Sequence, residues 1–106
     1  MKKYNKIVRD NIPEIIKERG GKCSFHLARE MDACVYLVDK IKEEADELMP
    51  MLNRNGAIDE LADLQEIIVA LAKKQNYTME QVEKVRLLKR EERGSFDKNI
   101  ILIETD

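Results

Sequence analysis

Between Met31 and Lys74 the chain carries two apolar stripes at helical spacing with one short breaker between them, which favours a pair of long helices folded back on each other. Leu37, Ile41 and Leu48 mark the first stripe, and Leu61, Leu64, Ile68 and Leu71 mark the second. Pro50 and the run Asn53-Arg54-Asn55-Gly56 supply the break, because proline cannot continue a helix freely and Asn/Gly residues suit turns. The first helix is therefore expected from about Met31 to Leu48 or Met49 and the second from about Ala57 to Lys74. Lys73 and Lys74 suit the negative end of the second helix. Two long helices with a short connection pack antiparallel.

Two acidic pairs flank that break: Glu44/Glu47 on the first helix and Glu60/Asp63 on the second, each at i,i+3 spacing, with twelve residues (48–59) between the pairs. At 100° per residue, Glu44 falls within about 40° of the first stripe's centre, and Glu60 lands between the directions of Ile67 and Leu71. Glu47 lies on the edge of its stripe and Asp63 just outside its own, whereas Asp46, Asp59 and Glu66 point outward as surface charge. An ionised carboxylate facing a core must be paired, hydrogen-bonded or bound to a cation, or its pKa rises. Two of them on facing helices repel, and a shared cation relieves both.

The rest of the chain frames this hairpin. Residues 1–9 read as an extended arm carrying Lys2, Lys3, Lys6 and Arg9. Asp10 or Asn11 can cap a short helix that begins near Pro13, takes Ile12, Ile15 and Ile16 as its apolar side, and ends at Gly20-Gly21. Lys22–Arg29 alternates Cys23, Phe25 and Leu27 with polar residues, the pattern of a short strand. Thr78-Met79-Glu80-Gln81 is a capping box that starts a third long helix reaching about Arg93, with Val82, Val85 and Leu88 on its apolar side. Arg86, Arg90 and Arg93, flanked by Lys89, form a basic stripe on that helix. Gly94 breaks it, Phe96 is expected to anchor the following loop, and Ile100–Ile103 reads as a second short strand that pairs with 22–29 or packs on the helices. The expected fold is mostly α, an antiparallel helical bundle with one or two short β-strands, in one domain spanning residues 1–106.

Composition narrows the function classes. A chain of 106 residues with 38% charged and 5% aromatic residues is small enough to gain from joining a second subunit. A net charge of −2 offers no general field for nucleic acid or an anionic membrane. The opening MKKYNKIVRD has no long apolar run after its lysines, and no segment approaches a membrane span, so a cytoplasmic protein is expected. Cys23 and Cys34 lack CxxC spacing and read as free thiols, and His26 reads as a surface residue of the first strand.

Glu44, Glu47, Glu60 and Asp63, with no nitrogen or sulfur partner, make a hard-oxygen set suited to Mg²⁺, with Mn²⁺ as the close substitute. A di-iron site would need Glu-x-x-His on two helices, which a single histidine excludes. Mg²⁺ commonly shares its shell with phosphate oxygens, so a phosphate ester or anhydride is the expected substrate class. No Walker loop is present. Lys6, Arg9, Arg86, Lys89, Arg90 and Arg93 are then the candidate phosphate contacts, and Glu43, beside Glu47, is the candidate base for an attacking water.

Glu44-Ala-Asp-Glu47 followed by Glu60-Leu-Ala-Asp63 resembles the ExxE and ExxD signature of the all-α nucleotide pyrophosphohydrolase superfamily of MazG-like and phosphoribosyl-ATP pyrophosphohydrolase-like proteins. The opening YNKIVRDNIPEII (4–16) is similar to YNKLVRDKIPEII of a small single-domain subgroup, and the closing KREERGSF (89–96) to its KREERGGF. Asn11 stands where that subgroup usually has lysine, which leaves Lys6 and Arg9 as the better phosphate contacts in the arm. The resemblance implies a MazG-like helical bundle and Mg²⁺-dependent hydrolysis of a nucleoside triphosphate or related nucleotide between the α- and β-phosphates, giving a monophosphate and pyrophosphate. Glu44, Glu47, Glu60 and Asp63 would carry the metal, Glu43 would assist the water, and the basic residues would hold the phosphates. It also implies a homodimer or higher homo-oligomer. The rival expectation is a helical-bundle binding or regulatory protein without turnover.

Overall fold

The computed structural model describes residues 2–106, so Met1 of the expected arm lies outside the described residues. The elements are α1 (Ile12–Glu18), α2 (Glu30–Leu48), α3 (Ala57–Lys74) and α4 (Met79–Arg93), with a single 3₁₀ turn at Met49–Met51. Pro50 sits inside that turn, where its missing N–H does no harm, and Asn53 at φ 63° ends it. α1 stops as glycine permits: Gly20 takes φ 81°, and the Gly21 N–H returns to the Ile16 carbonyl at 2.9 Å.

α2 and α3 run antiparallel and make the principal packing of the fold. Lys74, at the end of α3, reaches Glu30, at the start of α2, at 3.1 Å, while Glu44 near the end of α2 meets Glu60 near the start of α3. The residues sealed between the two helices are Ala33 and Leu37 on α2 and Ile67 and Ala72 on α3, together with Glu44. The inward line on α3 therefore runs through Glu60 and Ile67. Leu61 and Ile68, placed in the core stripe from the sequence, are rotated outward and stand 56% and 45% exposed.

The join from α3 to α4 is short and fully hydrogen-bonded. Asn76 adopts φ 65°, the Tyr77 N–H bonds back to the Ala72 carbonyl at 2.8 Å, and one residue later Thr78 and Gln81 exchange the two bonds of a capping box. These bonds leave the junction few free backbone groups and set the direction in which α4 departs. Only Val82 and Met79 of α4 are half-buried, and Val85 and Leu88 are exposed.

No strand forms among the described residues. The segments 22–29 and 100–103, expected as strands, are irregular, because neither lies against a backbone edge that could pair its N–H and C=O groups. Phe96, expected to anchor its loop, is 94% exposed. Leu37→Ala should lower stability in urea denaturation by about 2–3 kcal/mol through the cavity it leaves between α2 and α3. Thr78→Ala should lower it by about 1 kcal/mol through loss of the α4 cap.

Candidate metal centre

The loop end of the α2–α3 hairpin gathers five carboxylates in two overlapping groups. Oxygens of Glu44, Glu60 and Asp63 lie within 4.8 Å of one another, and so do those of Glu43, Glu44 and Glu47. Glu44 belongs to both groups and is the only buried charged residue among those described, at 6% exposed. Helix periodicity explains the arrangement: Glu44 continues the Ala33–Leu37–Ile41 line of α2, and Glu60 continues the Ile67–Leu64 line of α3 toward its first turn. Glu43 is one position off that line and half-buried, and Glu47 is exposed at the rim.

The charges are not internally compensated. One oxygen of Glu44 and one of Glu60 are sealed from solvent with no hydrogen-bond partner among the described residues. Burial pushes the Glu44 carboxyl above the usual range, hydrogen bonding to the Glu60 carboxyl and the charges of Glu60 and Asp63 push the same way, and Lys40 opposes them. Buried oxygens of this kind are normally satisfied, so two facing each other across a helix pair fit a bound cation. All the donors are carboxylate oxygens on the last turns of α2 and the first turns of α3, which suits Mg²⁺ or Mn²⁺.

The N-terminal arm crosses this cluster and places both of its expected phosphate contacts there. Lys6 Nζ donates to Glu43 Oε1 at 2.7 Å, and Arg9 donates to Asp63 Oδ1 at 2.7 Å. The Lys6 ammonium also sits 5.6 Å from the centroid of the Tyr4 ring. The hydrogen bond holds Glu43 below the usual carboxylate range and Lys6 above the usual ammonium range. Half-buried Lys40, not singled out from the sequence, stands 3.9 Å from Glu43. Its i,i+3 spacing to Glu43 was the available signal.

The basic stripe of α4 is a different case. Arg86 bonds to Glu83 on its own helix, and Arg86, Lys89, Arg90 and Arg93 are all exposed. Among the described residues none of the four forms an ion pair with the acidic cluster. The structure thus brings together Glu43, Glu44, Glu47, Glu60, Asp63, Lys6 and Arg9, and leaves the α4 cations outside that group. No family model, curated protein or solved structure matches the chain.

The raised Glu44 carboxyl has a definite consequence for stability. A native state that holds a proton more tightly than the unfolded chain is stabilised at low pH and loses that stability as pH rises from the ordinary carboxylate range through the raised value. Glu43, held low by Lys6, acts in the opposite sense and loses its contribution as pH falls through its lowered value. In chelator, at neutral pH and fixed protein concentration, Glu44→Gln should therefore raise Tm, by about 4 °C if the relief is about 1 kcal/mol. The same variant should flatten the decline of stability above the ordinary carboxylate range, followed by thermal denaturation at successive pH values.

Proposed function

We propose that this chain is a Mg²⁺-dependent nucleotide pyrophosphohydrolase of the MazG-like type, cleaving a nucleoside triphosphate or related nucleotide between its α- and β-phosphates. The observation that carries the reading is the pair of sealed, unpartnered oxygens on Glu44 and Glu60, facing each other beside Asp63. The sequence resemblance supplies the reaction. It covers the acidic pairs, the arm and the end of α4, and the two acidic groups and the arm meet at one place.

Glu44, Glu47, Glu60 and Asp63 are the ligands in this reading, and the ion supplies charge neutralisation and orientation for the phosphates and the attacking water. Water attacks phosphorus, the bridging P–O bond between the α- and β-phosphates breaks, and the products are a monophosphate and pyrophosphate. Glu43 accepts the proton released by that water. While Lys6 holds Glu43 the carboxylate is a weak base. A substrate phosphate that draws Lys6 away restores Glu43 to greater basicity, so substrate binding and activation of the base are linked through one side chain. Arg9 can likewise move from Asp63 to a phosphate, where its guanidinium fork grips two oxygens. In the same reading the working form is a homo-oligomer.

The test is a panel of nucleoside triphosphates with Mg²⁺ and identification of the products. At least one should release pyrophosphate and a monophosphate. Glu60→Gln should lower kcat by at least about 100-fold, the scale of losing a group that acts on transition-state charge. Arg9→Ala should raise KM more than it lowers kcat, since it removes binding shared by ground and transition states. Absence of pyrophosphate from every member of the panel at high enzyme concentration would overturn the assignment.

A further inference from the structure

The half of α2 that precedes the carboxylates borders a cleft that the proposed chemistry leaves unused. The irregular residues 26–29 lie beside this half of the helix, and the hollow between them, of about 590 Å³, has Arg29, Asp32, Val35, Tyr36 and Asp39 in its lining. Tyr36 is half-buried, whereas Asp32 and Asp39 stand exposed. Arg29 Nε approaches an Asp32 carboxylate oxygen at 3.7 Å, an exposed contact too weak to lock either side chain. The hollow therefore offers an aromatic ring, two acceptor-only carboxylates and a donor-only guanidinium.

Its position says what fits there. Asp32, Tyr36, Asp39 and Glu43 recur at i,i+4,i+7,i+11, which puts all four within about 60° of one another on one face of α2. At a rise of about 1.5 Å per residue, Asp39 lies about 6 Å from Glu43 along the helix axis, Tyr36 about 10 Å and Asp32 about 16 Å. Lys6, a phosphate contact in the proposed function, is bonded to Glu43 at 2.7 Å. The cleft thus begins one helical turn from that contact and leads away from it. Ribose and then base follow the phosphates of a nucleotide in the same order.

We infer that the cleft receives the nucleoside half of the substrate and favours bases that carry an exocyclic amino group, namely adenine, cytosine and guanine, over uracil, thymine and hypoxanthine, which lack one. The inference rests on the proposed function for the placement of the phosphates at Lys6 and Glu43. Asp39, one turn from Glu43, accepts from a ribose hydroxyl. The Tyr36 ring packs against the base, a contact that tolerates any base because each has a π-face. Asp32 and Arg29 read the base edge: the carboxylate accepts an amino N–H, and the guanidinium donates to the neighbouring ring nitrogen or carbonyl. Exchange of the amino group for a carbonyl reverses that edge. A carbonyl oxygen then faces the Asp32 carboxylate and a ring N–H faces Arg29, so acceptor opposes acceptor and donor opposes donor.

Two substrate pairs isolate this edge, adenosine against inosine triphosphate and cytidine against uridine triphosphate. With Mg²⁺, kcat/KM should favour the amino member of each pair by at least about 10-fold, the low end for a base-edge contact. Asp32→Asn, whose amide both donates and accepts, should reduce each ratio by at least about 5-fold. Asp46→Asn, on exposed helix surface, should leave both ratios unchanged. Pyrophosphate release with ratios near one, or ratios that survive Asp32→Asn, overturns the base site and leaves the hydrolase reading standing. If no triphosphate releases pyrophosphate, the hydrolase reading falls and equilibrium dialysis of the nucleoside monophosphates decides the cleft. Adenosine and cytidine monophosphates should then bind at least about 10-fold more tightly than their inosine and uridine counterparts, and equal binding or none overturns the inference.

Discussion

Two carboxylates that face each other across one helix pair govern this structure. Glu44 and Glu60 each continue the inward line of their helix, and in doing so each places an oxygen where no solvent and no described donor reaches it. The same hairpin geometry that packs Leu37 and Ile67 between the helices brings the two like charges together at the loop end. The arrangement is electrostatically unfavourable as it stands, as the raised Glu44 carboxyl records. A bound cation, as proposed, would turn this conflict into a reason for the helices to keep their register.

The arm meets only part of that need. Lys6 and Arg9 neutralise Glu43 and Asp63 at the rim, both at 2.7 Å, and leave the two sealed oxygens unaddressed. Their ion pairs are solvent-exposed, and such pairs are weak enough to be exchanged for a phosphate at small cost. The cluster and the arm are therefore arranged by depth: carboxylates on the helices below, and the exposed, ion-paired cationic side chains of the arm above. In the proposed function, the lower layer would hold the metal and the upper one the phosphates.

Much of this was legible in the residues. The boundaries of α2 and α3 followed from two apolar periods and a Pro/Asn/Gly break, the capping box at Thr78 from four residues, and the inward aim of Glu44 and Glu60 from 100° per residue. Local pattern is sufficient where the determining contacts are local or repeat every turn. It failed where the outcome depends on a partner surface. The alternation at 22–29 and the run at 100–103 read as strands, yet a strand requires another edge, and none lies beside them. Phe96, Leu61 and Ile68 are apolar without being buried, because the chain has more apolar surface than its own hairpin can cover. The pairing of Lys6 with Glu43 and of Arg9 with Asp63 joins residues far apart in sequence and has no periodic signature. The α4 cations had one as a stripe, but a stripe does not say which way a helix departs.

The claim on which the account rests is that the carboxylates at the hairpin's loop end bind a divalent cation. Its most direct measurement is Mn²⁺ titration followed by loss of the free-ion electron paramagnetic resonance signal, without any nucleotide. Saturable binding is expected in the parent chain, lost in both Glu44→Gln and Glu60→Gln and kept in Glu66→Gln, whose carboxylate faces solvent. A parent chain that leaves the free Mn²⁺ signal unchanged up to millimolar concentrations, or binding that survives both core-facing substitutions, contradicts it.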